Sequence, residues 1–120
     1  RKAERVAEET GAQLTFTEDP EEAVRSADFV YTDVFVSMGF EAESQERMRA
    51  FLPRYRVTEQ LISKASPEAR FMHCMPVKRG EEVEPSVADG PRSVMYDQAE
   101  NRMHTEAALL HLIYSVWRWI

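Results

Sequence analysis

The stretch 71–80 contains the only cysteine of the chain, Cys74, and offers the clearest chemistry in the sequence. Its apolar start is typical of a buried strand, and Pro76 ends that strand, so Cys74 stands at the C-terminal tip beside His73. A Lys-Arg pair follows. Ligands of open α/β sheets bind outside the carboxyl ends of the strands. We therefore predict a site for a small anionic or polar substrate; the alternative is a buried structural cysteine beside a hydrogen-bonded histidine.

A second candidate group lies at the end of another predicted strand, 29–34, which is rich in β-branched and aromatic residues. Asp33 stands near its end. A carboxylate that is buried there is unfavourable without a partner, and a bound ammonium group would provide one. The alternative is that Asp33 caps the segment that follows. Ser37 and Gly39 come next; such a glycine lets backbone groups approach a ligand closely, although Ser37 could be a plain loop hydroxyl.

Helical and strand patterns alternate around these groups. We predict, in order, a helix over 2–10, a strand over 13–17, a helix over 20–27, a strand over 29–34, helices over 41–51 and 57–63, strands over 69–74 and 94–96, and a long helix over 99–119. Gly11, Asp19 before Pro20, and Thr58 occupy favoured helix-end positions. The alternation predicts an α/β fold with a doubly wound parallel sheet. Region 77–93 has no periodic pattern and is predicted to be a binding loop or a disordered linker.

Composition limits the function classes. The 120 residues suffice for one domain or part of one. A net charge of −6 argues against non-specific nucleic-acid binding, and no apolar run approaches the ~20 residues that span a membrane. A single cysteine excludes an intrachain disulfide and fits a reducing compartment, so a cytoplasmic location is expected.

Three segments together resemble the ornithine carbamoyltransferase family. They are 33–39 (Asp-Val-Phe-Val-Ser-Met-Gly), 73–76 (His-Cys-Met-Pro) and 97–104, which contains Ala-Glu-Asn-Arg. The family patterns are Asp-Val-Trp-x-Ser-Met-Gly, His-Cys-Leu-Pro and Ala-Glu-Asn-Arg, in the same order. Phe35 replaces the usual Trp, and Met75 replaces the usual Leu.

The resemblance implies transfer of a carbamoyl group from carbamoyl phosphate to the side-chain amine of L-ornithine, giving citrulline and phosphate. It implies that Asp33 contacts the amino groups of ornithine and that Ser37 and Met38 bind its amino-acid end. Cys74 is expected to position the side-chain amine and not to act as a covalent nucleophile. Asp33 and Cys74 are thus the predicted catalytic residues.

For the second substrate, the resemblance implies that Cys74 and the main chain of Met75 contact the carbamoyl group and that Arg102 binds carbamoyl phosphate. A guanidinium group suits a phosphate. The alternative for Arg102 is an ordinary solvated helix arginine. Lys78 and Arg79 could bind phosphate or be loop cations without a partner.

The resemblance also implies a division of the chain. Residues 1–98 are predicted to be an ornithine-binding α/β domain that is truncated at its N-terminus, and residues 99–120 a helix that packs on a carbamoyl-phosphate domain. The chain has no initiator Met and no Ser-Thr-Arg-Thr phosphate loop of the kind expected at a helix N-terminus. We therefore expect a fragment that is inactive alone.

Two alternatives stay open at this point. One is a sibling transcarbamylase that acts on putrescine or an acylated ornithine. The other is a non-catalytic domain that only binds or assembles, through an apolar end formed by Trp117, Trp119 and Ile120. Carbamoyl transfer requires no metal or redox cofactor, and none is expected. The family resemblance implies a homotrimer.

Overall fold

Helices and short strands alternate along the chain in a computed structural model that describes residues 2–116. A 3-10 turn at Glu41–Glu43 precedes the third α-helix. In chain order, the elements are α1 (Lys2–Thr10), α2 (Pro20–Val24), β1 (Phe29–Thr32), α3 (Ser44–Phe51), α4 (Glu59–Ile62), β2 (Arg70–His73), α5 (Pro85–Ala88) and α6 (Met95–Val116). The predicted apolar end at residues 117–120 lies outside the described residues.

Strands β1 and β2 form a parallel pair, as the α/β prediction requires. Phe29 pairs with Arg70, and Thr32 with His73. Because the strands are parallel, their carboxyl ends meet at one edge of the sheet, and Asp33 directly follows β1 at that edge. The fold class predicted from the sequence is confirmed to this extent.

The predicted helix starts are present where local chemistry favours them. The Asp19 side chain accepts a hydrogen bond from the Glu21 amide at 3.0 Å, directly before Pro20 opens α2. The Thr58 hydroxyl accepts one from the Leu61 amide at 3.0 Å at the start of α4. These side chains satisfy amide groups that have no partner within the helix.

The core lies between the strands and the helices that follow them. Its buried members are aliphatic, aromatic or sulfur-containing, and they come from the end of α2, β1, α4 and the segment before it, β2, the segment after β2 and the start of α6. They are Val24, Val30, Val57, Leu61, Ile62, Phe71, Val83, Val87, Ala88 and Met95.

Region 77–93 is packed against this core, so the disordered-linker alternative is wrong. The Val57 amide donates to the Glu82 carbonyl and the Glu84 amide donates to the Val57 carbonyl, each at 2.9 Å. Val83 and Val87 are buried, and α5 lies within the region. The buried apolar residues of this segment are spaced irregularly, so the sequence showed no helix or strand period although the segment is packed.

Two predicted strands are wrong. Residues 13–17 form no strand, because no neighbouring strand pairs with them in the described part of the chain. The strand predicted over 94–96 is reduced to one bridge: the Phe71 amide donates to the Arg92 carbonyl at 2.8 Å, and the Val94 amide donates to the Phe71 carbonyl at 2.9 Å. The chain then turns into α6, which begins at Met95, four residues before the predicted start at 99.

Helix α6 leaves its apolar side chains uncovered over much of its length. Exposed members include Met103, Leu109, Leu110, Leu112, Ile113 and Tyr114. Nothing in residues 2–116 packs over these side chains. None of the helices in that range combines the length and apolar content needed to cross a membrane.

Candidate active site

A cavity of about 500 Å³ opens at the carboxyl ends of the two strands. Its volume lies within the range usual for small-molecule sites. It is lined by the residues that follow β1 and those that follow β2, namely Asp33, Val34, Val36, Ser37, Met38, Glu41, Ser44, Cys74, Met75, Pro76 and Lys78. Five of the six predicted site residues are among them; Arg102 is the exception.

Asp33 is exposed, so the expectation of a buried carboxylate is wrong. The reason is that β1 has a neighbour on one side only among the described residues, which leaves its end open. The Asp33 carboxylate accepts a hydrogen bond from the adjacent Val34 amide at 2.7 Å. The capping alternative is also wrong, because the next helical turn begins only at Glu41 and Asp33 bonds no amide of it. A hydrogen bond from Cys74 lowers the pKa of Asp33, and the Val34 amide lowers it further. Asp33 is therefore a stable negative charge at the cavity wall, suited to an ammonium group.

Cys74 is half-buried next to Asp33. Burial raises the pKa of its thiol, and the Asp33 carboxylate raises it further, while Tyr31 lowers it. A cysteine titrates near ~8.5 when unperturbed, so Cys74 is a protonated thiol at neutral pH. A covalent cysteine nucleophile needs the opposite shift. The thiol is instead a donor to the Asp33 carboxylate.

Tyr31 and Gln98 extend this hydrogen-bonded chain away from the cavity. A hydrogen bond to Cys74 raises the pKa of Tyr31, and the Gln98 side-chain amide donates to the Tyr31 hydroxyl at 3.3 Å. The amide oxygen of Gln98 accepts from the His73 backbone amide at 3.0 Å. The first turn of α6 is thereby joined to the ends of both strands.

His73 and Glu82 form a buried pair behind the cavity. Nε2 of His73 lies 3.1 Å from Oε1 of Glu82, and both side chains are fully buried. The Met75 amide donates to Nδ1 of His73 at 2.9 Å, so Nδ1 is an acceptor and carries no proton. The ring proton is on Nε2 and is donated to Glu82. His73 is thus a fixed structural donor and acceptor, not a base that faces the cavity.

The main chain at Met75 turns sharply into the cavity wall. Its φ of +61° lies in the left-handed region, which is unfavourable for a residue with a side chain. The hydrogen bond from the Met75 amide to His73 offsets part of that cost. The Lys78 amide donates to the same Glu82 oxygen that His73 contacts. One buried pair therefore holds the 75–78 segment at two points.

The Ser37–Phe40 turn forms the opposite wall of the cavity. The Phe40 amide donates to the Ser37 carbonyl at 3.1 Å, and Gly39 adopts a φ of +90°, which glycine tolerates. Met38 is 93% exposed, so its side chain does not hold the turn in place. Ser37 and Met38 are the residues of this turn that line the cavity.

Arg102 lies apart from this arrangement. Its side chain is exposed on α6, and its Nη2 lies 3.7 Å from Oε1 of Glu106. The two loop cations also have partners. Arg79 forms a bidentate ion pair with Asp89: Nε lies 2.7 Å from Oδ2, and Nη2 lies 2.6 Å from Oδ1. This pair raises the pKa of Arg79 and lowers that of Asp89. The expectation that Arg79 has no partner is therefore wrong; Lys78 contacts Glu81 more loosely, at 3.6 Å.

Several contributors to the site were missed at the level of sequence. Tyr31, Glu41 and Glu82 lie in none of the three family-like segments, and Gln98 lies within segment 97–104 but was given no role. Glu82 sits in an ordinary charged run, 78–82, and only the buried Val83 beside it hints that the segment turns inward. Within residues 2–116, no group of three or more His, Cys, Asp or Glu side chains is arranged to hold a metal ion.

Comparison with known proteins gives one family. Residues 1–113 match the model of the aspartate/ornithine carbamoyltransferase family, Asp/Orn binding domain. The chain is 57% identical over 113 residues to the ornithine carbamoyltransferase of Methanopyrus kandleri, a match that covers 94% of the chain and 36% of the relative. The chain thus spans about a third of the length of the curated relatives it matches.

Solved structures agree with the sequence match. The ornithine carbamoyltransferase from Pyrococcus furiosus superposes with a TM-score of 0.78 at 49% identity, over 87% of this chain and 33% of that one. The anabolic ornithine carbamoyltransferase from Campylobacter jejuni superposes with a TM-score of 0.87 at 32% identity, over 94% of this chain and 37% of that one. The parallel pair and the helices around it are therefore similar to the corresponding third of these enzymes.

Proposed function

The chain belongs to the aspartate/ornithine carbamoyltransferase family through its Asp/Orn binding domain, and we propose that it supplies the ornithine-binding part of an ornithine carbamoyltransferase. The complete enzyme transfers a carbamoyl group from carbamoyl phosphate to the side-chain amine of L-ornithine and releases citrulline and phosphate. One observation carries this proposal: the Asp33 carboxylate, the Cys74 thiol and the Ser37–Phe40 turn meet around one small-molecule cavity.

Asp33 is the group that attracts the substrate amine. Its lowered pKa keeps it ionised, so it pairs with an ammonium group when the substrate binds. The same shift makes it a weak base. In our proposal the amine loses its proton to solvent before attack, and Asp33 and Cys74 hold the neutral amine against the carbonyl carbon. Such positioning can supply several kcal/mol of the barrier.

Met75 contributes through its main chain. The left-handed turn at Met75 brings this peptide to the cavity wall, beside Cys74. In our proposal it contacts the carbamoyl group of carbamoyl phosphate. The replacement of the family's Leu by Met leaves a main-chain contact unchanged, and the two side chains have similar volumes.

The Ser37–Phe40 turn selects the substrate. We assign Ser37 and Met38 to the amino-acid end of ornithine, Met38 through its backbone because its side chain points to solvent. Putrescine has no such end, so a site built around this turn favours an α-amino acid.

Helix α6 joins the two halves of the enzyme in this proposal. Residues 1–98 form the ornithine-binding part, and the helix predicted over 99–120 packs on a carbamoyl-phosphate domain. The exposed leucines of α6 support this assignment, because large uncovered apolar surfaces mark contact sites. Arg102 then approaches carbamoyl phosphate at that junction. A cytoplasmic homotrimer is the form that we propose for the complete enzyme.

The proposal is tested in a full-length protein made by joining this chain to the rest of the 57% identical Methanopyrus kandleri relative, hereafter the joined enzyme. We expect citrulline from ornithine and carbamoyl phosphate, with little product from putrescine or N-acetylornithine. A preference for either of the latter amines would replace the proposed substrate. The 120-residue chain alone should form no citrulline. Measurable turnover would contradict the proposal that it supplies only the ornithine-binding part of the enzyme.

A further inference from the structure

Glu41 lies at the end of the Ser37–Phe40 turn and lines the same cavity as Asp33. Both of its carboxylate oxygens lie 3.0 Å from the Gly39 amide nitrogen, so one N–H is shared between them. This hydrogen bond lowers the pKa of Glu41. The charged carboxylate of Glu41, a residue of the cavity lining, thus accepts a hydrogen bond from the backbone of the turn.

The Phe40 amide closes the turn by donating to the Ser37 carbonyl at 3.1 Å, and the remaining contacts lie at its far end. The guanidinium carbon of Arg47 lies 4.3 Å above the Phe40 ring, and Arg47 also pairs with Glu43 at 3.0 Å. A side chain at Gly39 would meet no atom within 4 Å, so packing does not confine the corner of the turn. The hydrogen bond that the Gly39 amide donates to Glu41 therefore orients the Gly39 peptide at this corner, in addition to the Phe40–Ser37 bond that closes the turn.

We infer that Glu41 is a positioning residue, which orders the Ser37–Phe40 turn so that its backbone groups face the amino-acid end of the substrate. This inference rests on the proposed function. A turn that is ordered in advance binds a ligand with a smaller entropic cost. Glu41 therefore governs ornithine affinity through the turn, without itself contacting the substrate, and has no effect on the carbamoyl-phosphate side.

The test compares Glu41→Ala with Glu41→Gln in the joined enzyme. The Ala variant loses the acceptor, so KM for ornithine should rise about tenfold or more, with kcat changed less than about threefold and KM for carbamoyl phosphate unchanged. The Gln variant keeps an oxygen acceptor for the Gly39 amide and should stay within about threefold of the parent. Glu46→Ala is the matched control, because it removes an exposed carboxylate from the neighbouring helix α3.

Two outcomes would overturn the inference. Equal damage in the Gln and Ala variants would show that the charge, and not the hydrogen bond, matters. Equal loss for both substrates would show a general structural defect.

A second measurement does not depend on turnover. Amide hydrogen exchange in peptides covering 37–41 should become faster in Glu41→Ala than in Glu41→Gln, and no difference would refute the role of Glu41 in the turn. If the unmutated joined enzyme makes no citrulline, the proposed function fails, whereas the exchange measurement still decides the question of the turn.

Discussion

Nε2 of His73 lies 3.1 Å from Oε1 of Glu82, and neither side chain is accessible to solvent. The pair connects the end of β2 to the segment that follows it. His73 also accepts from the Met75 amide, and Glu82 also accepts from the Lys78 amide. This buried, hydrogen-bonded pair therefore fixes the path of the main chain along one wall of the cavity.

Replacing Glu82 by Ala should destabilise the fold strongly. The change leaves the His73 ring N–H and the Lys78 amide without their acceptor, and each buried unpaired donor costs about 1–3 kcal/mol. We expect a loss of about 2–4 kcal/mol in the free energy of unfolding, measured by urea denaturation. Glu82→Gln, which keeps one oxygen acceptor, should lose less than half as much.

Glu81→Ala is the control for this prediction. Glu81 is adjacent, carries the same charge and contacts Lys78 only at 3.6 Å near the surface. Its replacement should change stability by less than about 0.5 kcal/mol. Equal stability of the Glu81 and Glu82 variants would mean that the buried pair does not hold the segment.

Sequence patterns predicted the features that depend on neighbouring residues. The caps at Asp19 and Thr58 are local, since each side chain bonds an amide two or three residues away. The parallel pairing was also predictable, because short strands separated by helices have few other arrangements. Residues 13–17 show the limit: an alternating pattern becomes a strand only if another strand supplies hydrogen-bond partners.

The predicted site residues that follow the strands are brought together, because parallel strands end at one edge. Their surroundings were not predictable. Gln98 contacts Tyr31 across 67 positions of sequence, and Glu82 contacts His73 across nine, so both contacts depend on the folded path of the chain. The exposure of Asp33 was mispredicted for the same reason, since burial at the end of a strand is decided by which elements cover it.

The Cys74 thiol should react slowly with alkylating reagents at neutral pH. Burial and Asp33 raise its pKa, so the thiolate, which is the reactive form, appears only above the usual range. The rate of iodoacetamide labelling of the 120-residue chain should have its midpoint above ~8.5, and the single cysteine makes the label unambiguous. Asp33→Asn should lower that midpoint. A parent midpoint below 8.5 would indicate an activated thiol instead.

Cys74→Ser should reduce turnover in the joined enzyme without abolishing it. Serine keeps a donor for Asp33 but has a smaller atom at the contact with the amine, so positioning is weakened while no covalent step is lost. Steady-state citrulline formation measures the effect, with Ser63→Ala, a distant hydroxyl at the end of α4, as the control. Total inactivity together with a carbamoyl thioester trapped on the parent protein would establish Cys74 as a nucleophile.

Asp33→Asn should impair the use of ornithine much more than the binding of carbamoyl phosphate. The change preserves shape and removes the charge that pairs with the substrate ammonium. A hydrogen bond to a charged group contributes about 1.5–3 kcal/mol, so kcat/KM for ornithine should fall about 10- to 100-fold. The dissociation constant of carbamoyl phosphate, measured by calorimetry, should stay within about twofold of the parent value. Ornithine kinetics that are unchanged in this variant would remove Asp33 from the site.

Activity of the joined enzyme should rise with pH from neutral into the alkaline range. Only the neutral side-chain amine attacks, and a free amine of this type titrates near ~10.4. At pH values below that, an increase of one pH unit should therefore raise the neutral, reactive fraction of the amine about tenfold. The lowered pKa of Asp33 keeps its titration out of this range, so it cannot cause the rise. Because the pKa of Cys74 is raised, its thiolate places a second negative charge near the amine only at the upper end of this pH range. The rise in kcat/KM should therefore persist in Cys74→Ser, and a flat profile in both proteins would show that amine deprotonation does not limit the reaction.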